Sequence, residues 1–251
     1  MVTTRAFVGI DAGTTGCTVM IFDERGRSLG HGYKEYPCIA PHPGWSEQDL
    51  DAVWQGICEA CSQATSAANL PAEAYKSVGL SSQRGTIAML DEDKQPLCNS
   101  YVWNCTRAID YQAKFEAEIS PEEHQKLPGM QLSPLWTAAK IAWFRDNQPA
   151  LFEKTHWFAN GQEYFLYELG AEEWMTDPAS LTLNGMMDIA NLDWSDKILS
   201  MCGITRDKLP PVGVPSGVAG SLSKQAAALT GLPEGITLCR GAGDQQCAAI
   251  G

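Results

Sequence analysis

The chain has 251 residues, of which 44% are hydrophobic and 19% are charged, a composition typical of globular proteins with a sizeable core. The net charge of −12 argues against a broad surface for nucleic acid or anionic membrane, because such surfaces need clustered Lys and Arg. No long apolar run precedes the first turn, so we predict neither a secretory signal nor a membrane span. We therefore expect a cytoplasmic protein whose partners are small molecules, not nucleic acid or membrane.

The nine cysteines are an odd number and are scattered from Cys17 to Cys247, which predicts reduced thiols rather than a disulfide framework. Cys58 and Cys61 form a CxxC pair. Both fall on the apolar stripe of a predicted helix that also contains Ile57. We therefore interpret them as core thiols rather than as a metal or redox pair.

The first third of the chain predicts a β-meander followed by a helix. Strands are expected at 6–11, 17–23 and 28–36, with Gly26 in the turn between the second and third. Ser46 followed by Asp49 resembles a capping box at the start of a helix whose apolar stripe runs from Leu50 to Ala64.

The remainder of the chain alternates between short strands and helices. Strands are predicted at 77–83, 86–90 and 97–104, a helix at 106–119, and a mainly helical stretch from 134 to 169 that breaks at Pro149. Residues 176–235 are rich in Gly and Pro and carry short helices at 193–203 and 223–231. We interpret them as an excursion before a strand at 236–243. The pattern predicts an α/β fold with a mixed sheet flanked by helices.

A glycine-punctuated acidic motif, IDAGTTG, follows the first predicted strand. Gly13 and its neighbours allow the backbone to approach a phosphate, while Thr14 and Thr15 can donate hydrogen bonds. Asp11 could organise Mg²⁺, usually through water. A tight hairpin also favours Asp and Gly, so the motif alone leaves a purely structural turn open.

A second motif of this kind, RGAGDQQ, lies near the end of the chain. Asp244 is at the predicted start of a helix, where the backbone dipole favours a carboxylate that can accept a proton from a hydroxyl. A plain N-cap aspartate is the alternative, but the flanking Gly241 and Gly243 favour a functional interpretation. Together the two motifs predict phosphoryl transfer.

Several motifs resemble, in order along the chain, the N-terminal domain of the FGGY carbohydrate kinases. They are FVGIDAGTTG, PGWSEQD, VGLSSQRGT, YVWNCTRA, TAAKIAWFRDN, NLDWSDKIL and GAGDQQCAAIG. The resemblance implies a ribonuclease H-like fold of the actin and sugar-kinase ATPase type, with ATP and Mg²⁺ as cofactors. It also implies that residues 1–251 form the sugar-binding lobe, and that the C-terminal nucleotide-binding lobe, absent here, is its partner. A homodimer is compatible with the sequence.

The same resemblance assigns roles to individual residues. It implies that Asp244 is the general base, that Asp11 positions Mg²⁺ and phosphates, and that Thr14 faces the transferred phosphoryl group. The implied sugar-binding residues are Arg84, Trp103, Asn104, Asp244 and Gln245. For Trp103, a simple core aromatic is the alternative.

Three positions depart from the patterns of known family members and bear on the identity of the acceptor. Glycerol kinases usually have a glutamate where this chain has Gly85 and a tyrosine near Leu135, and xylulokinases tend to have Met-His at Arg84 and Gly85. We therefore expect glycerol to be disfavoured as the acceptor and Gly85 to leave space for a bulkier one. The sequence does not identify xylulose as the acceptor either.

Two other classes of protein compete with the kinase hypothesis. One is a non-catalytic sugar-binding or sensing module derived from such a kinase, and the other is a different ATPase of the same superfold. YVWNCTRA and GAGDQQ favour the sugar kinases. Without a second lobe to close the cleft, we expect this chain alone to bind nucleotide weakly and to turn over little.

Overall fold

The computed structural model describes residues 4–214 and 217–251, so Pro215 and Ser216 of the Gly- and Pro-rich excursion lie outside the described residues. The strands are β1 (Ala6–Ala12), β2 (Gly16–Asp23), β3 (Ser28–Glu35), β4 (Glu47–Gln48), β5 (Tyr75–Ser82), β6 (Ile87–Leu90), β7 (Ser100–Tyr101), β8 (Trp157–Asn160), β9 (Met187–Asp188), β10 (Asp193–Trp194), β11 (Val218–Ser221) and β12 (Thr237–Gly243). The helices are α1 (Leu50–Ala68), α2 (Tyr111–Glu116), α3 (Pro121–Lys126), α4 (Thr137–Asn147), α5 (Pro149–Lys154), α6 (Gly161–Leu169), α7 (Pro178–Leu181), α8 (Asp196–Cys202), α9 (Lys224–Thr230) and α10 (Asp244–Ile250).

A mixed sheet with the strand order β11-β12-β5-β1-β2-β3 contains the predicted meander and the predicted last strand. β1, β2 and β3 are antiparallel neighbours, whereas β5 is parallel to β1 and β12 is parallel to β5. Ala12 pairs with Ser82, and Ser82 pairs with Gly243. The carboxyl ends of three parallel strands therefore meet at one edge, where ligands of open α/β sheets commonly bind.

Helix α1 covers one face of the meander and forms the main core with it. Ile57, Cys61 and Ala64 have no exposed surface, which confirms the predicted apolar stripe. A Cβ at Gly32 would lie 2.0 Å from the carbonyl oxygen of Ala60. Only glycine therefore permits this close approach of helix and strand.

Two details of α1 test the sequence analysis. The predicted capping box is wrong, because Asp49 is the N-cap and accepts from Asp51 N and Ala52 N, whereas Ser46 is buried with its Oγ 3.0 Å from Cys38 Sγ. The prediction of core thiols is confirmed. Cys58 and Cys61 are buried, and burial raises the pKa of the Cys58 thiol to about 12, which keeps it protonated.

A second, antiparallel sheet has the strand order β4-β7-β6-β8 and packs with α2, α4 and α8 around a separate cluster of buried side chains. Here local sequence patterns were less reliable. The stretch from 134 to 169 is mainly helical, as predicted, but Trp157–Asn160 forms a strand that pairs with β6. The helix expected at 106–119 forms only over Tyr111–Glu116, and the strand expected at 97–104 shrinks to Ser100–Tyr101.

None of the helices in the described ranges combines the length and the apolar character needed to cross a membrane.

Candidate active site

Asp11 lies at the carboxyl edge of the main sheet, near the end of β1. Its side chain is exposed, and its Oδ1 accepts a hydrogen bond of 2.8 Å from the hydroxyl of Ser81 on the neighbouring strand β5. The main sheet therefore fixes the orientation of this carboxylate while leaving it accessible.

The turn after Asp11 uses its glycines for its own structure. Gly13 N donates to Gly16 O over 3.0 Å, and the Tyr36 hydroxyl lies 2.8 Å from Gly13 O and 3.0 Å from Gly16 O. The backbone N–H groups of Thr14 and Thr15, by contrast, have no acceptor within the described residues. In this turn, the free amide donors are thus those of Thr14 and Thr15 rather than that of Gly13.

The hydroxyl of Thr14 forms hydrogen bonds with two side chains of the protein. It donates to Gln83 Oε1 over 2.9 Å and accepts from Trp103 Nε1 over 3.1 Å. Thr14 thus belongs both to the turn that follows β1 and to the wall of the pocket that contains Trp103.

Asp244 begins α10, directly after β12, and lies beside the buried side chain of Arg84. Arg84 Nε is 3.6 Å from Asp244 Oδ1, and Arg84 Nη2 donates to Gln245 Oε1 over 2.6 Å. Arg84 Nη1 also donates to Thr182 Oγ1. These contacts bring together three predicted site residues that are up to 161 positions apart along the chain.

The two glycines before Asp244 permit close contacts within the protein. A Cβ at Gly243 would lie 2.1 Å from Arg84 Cδ, and a Cβ at Gly241 would lie 1.8 Å from the carbonyl oxygen of Leu80. Gly241 also has a φ of 71°. Both positions therefore require glycine for contacts with Leu80 and Arg84, which is a different reason from the approach to phosphate suggested by the sequence.

A pocket of about 370 Å³ opens beside Asp244 and contains most of the predicted sugar-binding residues. Its lining consists of Thr14, Arg84, Gly85, Trp103, Leu135, Trp136, Leu183, Asp244 and Gln245. Trp103 is 43% exposed, which excludes the interpretation that it is a core aromatic. Asn104 is exposed next to Trp103 but is not part of the lining.

A second, open depression of about 520 Å³ lies on the face of the main sheet. Asp11, Ser81, Gly241 and Asp244 are among its lining residues. Asp244 therefore borders both the pocket and the depression. The two distant aspartates of the sequence motifs share this common opening.

Gly85 does not enlarge the pocket in the way that we expected. Its φ is 70°, and a Cβ there would lie 3.3 Å from Leu183 Cβ and 3.4 Å from Trp103 Cβ. The space that a side chain would take is used by the approach of Leu183 and Trp103. Glycine at this position thus brings two walls of the pocket together.

Lys140 supports these walls from behind and was not singled out from the sequence. It has no exposed surface, and its Nζ donates to the carbonyl oxygens of Gly85 at 3.2 Å, Val102 at 2.8 Å and Trp103 at 3.0 Å. Burial lowers the pKa of Lys140 to about 7, while three acceptors favour the ammonium form, which has three donors. The sequence signal that could have identified Lys140 is its position between the apolar residues Ala139 and Ile141.

The fold and the site define the class of the protein. The mixed sheet and its helices have the fold of the actin/hexokinase-like ATPases, which confirms the predicted fold class. Xylulose kinase from Lactobacillus acidophilus superimposes with a TM-score of 0.91 at 21% identity, over 98% of this chain and 49% of that one. Plasmodium falciparum glycerol kinase with ADP gives a TM-score of 0.90 at 23% identity, over 99% and 50%.

Residues 6–251 match the family model for the FGGY family of carbohydrate kinases, N-terminal domain, and the chain belongs to this family. Glycerol kinase from Thermococcus onnurineus is 30% identical over 251 residues, covering 98% of this chain and 50% of the relative. Glycerol kinase 2 from Thermotoga maritima is 28% identical over 250 residues. The chain thus spans about half the length of these relatives.

Proposed function

We propose that this chain is the acceptor-binding lobe of a kinase that transfers the γ-phosphoryl group of ATP to a hydroxyl of a sugar or polyol. The observation that carries the proposal is the position of Asp244 on the boundary between the pocket and the depression that contains Asp11. A base at such a boundary can contact an acceptor hydroxyl on one side while the phosphates lie on the other.

The acceptor occupies the pocket of about 370 Å³. Trp103 packs against its carbon face, and Arg84 and Gln245 orient its hydroxyls by hydrogen bonds. Asn104, exposed beside Trp103, contacts a further hydroxyl from the rim. Asp244 accepts the proton of the attacking hydroxyl as that oxygen bonds to the γ-phosphorus and the bond from phosphorus to ADP breaks.

The nucleotide phosphates lie at the turn after β1. The free amides of Thr14 and Thr15 donate to phosphate oxygens there, and Gly13 shapes the turn. Asp11 fits Mg²⁺ bound through water, because it is an exposed oxygen ligand held by Ser81 and Mg²⁺ favours few carboxylates with several waters. When bound, Mg²⁺ neutralises charge on the phosphates.

A second lobe completes the site in this proposal, since the family relatives are about twice as long as this chain. That lobe supplies the adenosine contacts and excludes water, so the isolated chain binds nucleotide weakly. The solved glycerol kinase with ADP supports nucleotide use. We place the protein in the cytoplasm, in keeping with the free thiols of its cysteines.

The acceptor is a polyol, ketose or sugar acid, and the structure of the pocket bears on which one. Glycerol, xylulose and gluconate kinases are all among the similar proteins. Leu135 and Leu183 present apolar side chains to the pocket, and Gly85 carries none. Because Gly85 lacks the charged side chain that glycerol kinases usually have at this position, we retain the prediction that glycerol is disfavoured.

The test is phosphorylation of a panel of polyols, ketoses and sugar acids with Mg-ATP by the protein expressed from its complete coding region. Transfer to one acceptor class that is lost in Asp244→Asn supports the proposal, and a clear preference for glycerol refutes the acceptor prediction. Binding of a sugar without transfer supports the non-catalytic module instead. In a separate calorimetric titration, micromolar affinity of residues 1–251 for Mg-ATP would contradict the need for a second lobe.

A further inference from the structure

Thr14, Gln83 and Gln48 form a closed ring of hydrogen bonds behind the proposed active site. Thr14 Oγ1 donates to Gln83 Oε1 over 2.9 Å, and Gln83 Nε2 donates to Gln48 Oε1 over 2.6 Å. Gln48 Nε2 then donates to the carbonyl oxygen of Thr14 over 2.6 Å. We call this arrangement the Thr14 ring.

The two glutamines of the Thr14 ring are buried, and the ring joins three separate elements. Gln48 is 1% exposed on β4, and Gln83 is 7% exposed directly after β5. The backbone of each is held as well, because Ser100 Oγ donates to Gln48 O and Gln83 N donates to Ala12 O, both over 3.0 Å. In each amide, Oε1 accepts and Nε2 donates within the ring, so both amide orientations are fixed.

The ring determines how Thr14 meets Trp103. Because the hydroxyl proton of Thr14 points to Gln83, a lone pair of Oγ1 is available to accept from Trp103 Nε1 at 3.1 Å. The indole of Trp103 is 43% exposed at the pocket, and without this hydrogen bond it could rotate into solvent. The bond therefore restrains the orientation of the indole. The free amides of Thr14 and Thr15 lie on the same turn.

We propose that Gln83 and Gln48 are positioning residues that hold the acceptor wall at Trp103 and the phosphate-binding turn at Thr14 in one fixed arrangement. Neither glutamine lines the pocket or the depression, so both act through Thr14. The inference rests on the proposed kinase function, which assigns the acceptor to the pocket that Thr14 lines and the phosphates to the backbone amides of Thr14 and Thr15.

The first experiment measures acceptor KM and kcat/KM in the protein from its complete coding region. Gln83→Met and Gln48→Met keep the length and remove the amide without adding charge. Each should raise the acceptor KM at least fivefold and lower kcat/KM at least tenfold, and the double variant should lose little more. Gln63→Met, at an exposed glutamine bonded to Tyr33 N, should stay within twofold. Additive losses, or an acceptor KM within twofold of wild type, overturn the proposal.

The second experiment needs neither catalysis nor a buried substitution. Thr14 is only half-buried, and Thr14→Val removes its hydroxyl while Thr14→Ser retains it. The exchange of the Trp103 indole proton with solvent is followed by NMR, and its signal is assigned by its loss in Trp103→Phe. Exchange should accelerate at least tenfold in Thr14→Val and stay within threefold in Thr14→Ser. An unchanged exchange rate in Thr14→Val overturns the proposal. If the exchange rates change as expected but the protein phosphorylates no acceptor, only the kinase function is contradicted.

Discussion

The carboxylate of Asp244 lies 3.6 Å from the buried Nε of Arg84, and this Nε has no hydrogen-bond partner within the described part of the chain. The other two guanidinium nitrogens bond Thr182 and Gln245. Arg84 therefore links Asp244, which follows β12, to the loop that carries Leu183. The proposed base and one wall of the proposed acceptor pocket are thus positioned by the same side chain.

Replacement of Asp244 by Asn should abolish turnover and leave acceptor binding intact. Asn keeps the shape of the side chain but cannot take the hydroxyl proton, so kcat should fall roughly 10²- to 10⁴-fold. Steady-state kinetics give kcat, and calorimetry gives the acceptor affinity. Asp93→Asn, in an exposed turn, is the matched control. A variant at Asp244 that keeps more than a tenth of wild-type kcat would show that another group takes the proton.

Replacement of Gly85 by Ala should affect both stability and acceptor binding. A non-glycine residue at a φ of 70° costs about 1–2 kcal/mol of unfolding free energy, and the added Cβ presses on Leu183 and Trp103. Gly26 has a φ of 75° and nothing within 4 Å of its Cβ position, so Gly26→Ala should cost stability alone. Urea unfolding measures the loss of stability in each variant, and steady-state kinetics measure the acceptor KM. Equal acceptor KM values in both variants would contradict the role of Gly85 in shaping the pocket.

Replacement of Asp11 by Asn should weaken Mg²⁺ binding, so that activity requires a higher Mg²⁺ concentration, without changing acceptor affinity. A carboxylate that acts on the metal through water typically contributes about 10- to 100-fold to metal affinity or activity. Titration of activity with Mg²⁺ measures the effect. Ser81→Ala removes only the hydrogen bond that orients Asp11 and should give a smaller loss. An unchanged Mg²⁺ requirement in Asp11→Asn would exclude Asp11 from the metal site.

Glu163 should make stability depend on pH. Burial raises its pKa from 4.5 to about 7, so between these values the folded state binds a proton that the unfolded state lacks. Its contribution is complete below pH 4.5 and is lost as the pH rises through 7, at about 1.4 kcal/mol per pH unit. Urea unfolding at pH 5, 6 and 7 should show this slope in wild type and in Glu153→Gln, at an exposed site. If the pH dependence of the unfolding free energy persists in Glu163→Gln, another group causes it.

The elements that the sequence predicts well are those set by local periodicity. In β12 the buried Arg240 interrupts the apolar pattern. β1, β2 and α1 carry apolar residues at most of their buried positions and therefore follow from the sequence. β4 and β8 do not, because they have two and four residues and exist through pairing with β7 and β6. Such pairing depends on contacts that no local pattern contains.

The site residues also divide into those that the sequence predicts and those that it does not. Arg84, Trp103, Asp244 and Gln245 lie in one pocket, as the motifs predict, whereas Asn104 lies outside its lining. Trp136 and Leu183, which line the pocket, and Lys140, which bonds its walls from behind, were not predicted, because their positions depend on how distant segments of the chain pack together. Their assignment required the register of the sheets and the packing of α4.

The close approach of Gly241 to the carbonyl of Leu80 has a consequence for how this scaffold can change its substrate. Main-chain atoms set the spacing between β12 and β5 at Gly241 and Leu80, so the end of β12 that carries the proposed base, Asp244, does not depend on the side chains of the opposite pocket walls. Leu135, Trp136 and Leu183 come from connections outside that pair of strands. If the chain is the acceptor-binding lobe that we propose, new acceptors can be acquired by exchanging these three side chains while the chemical step stays unchanged.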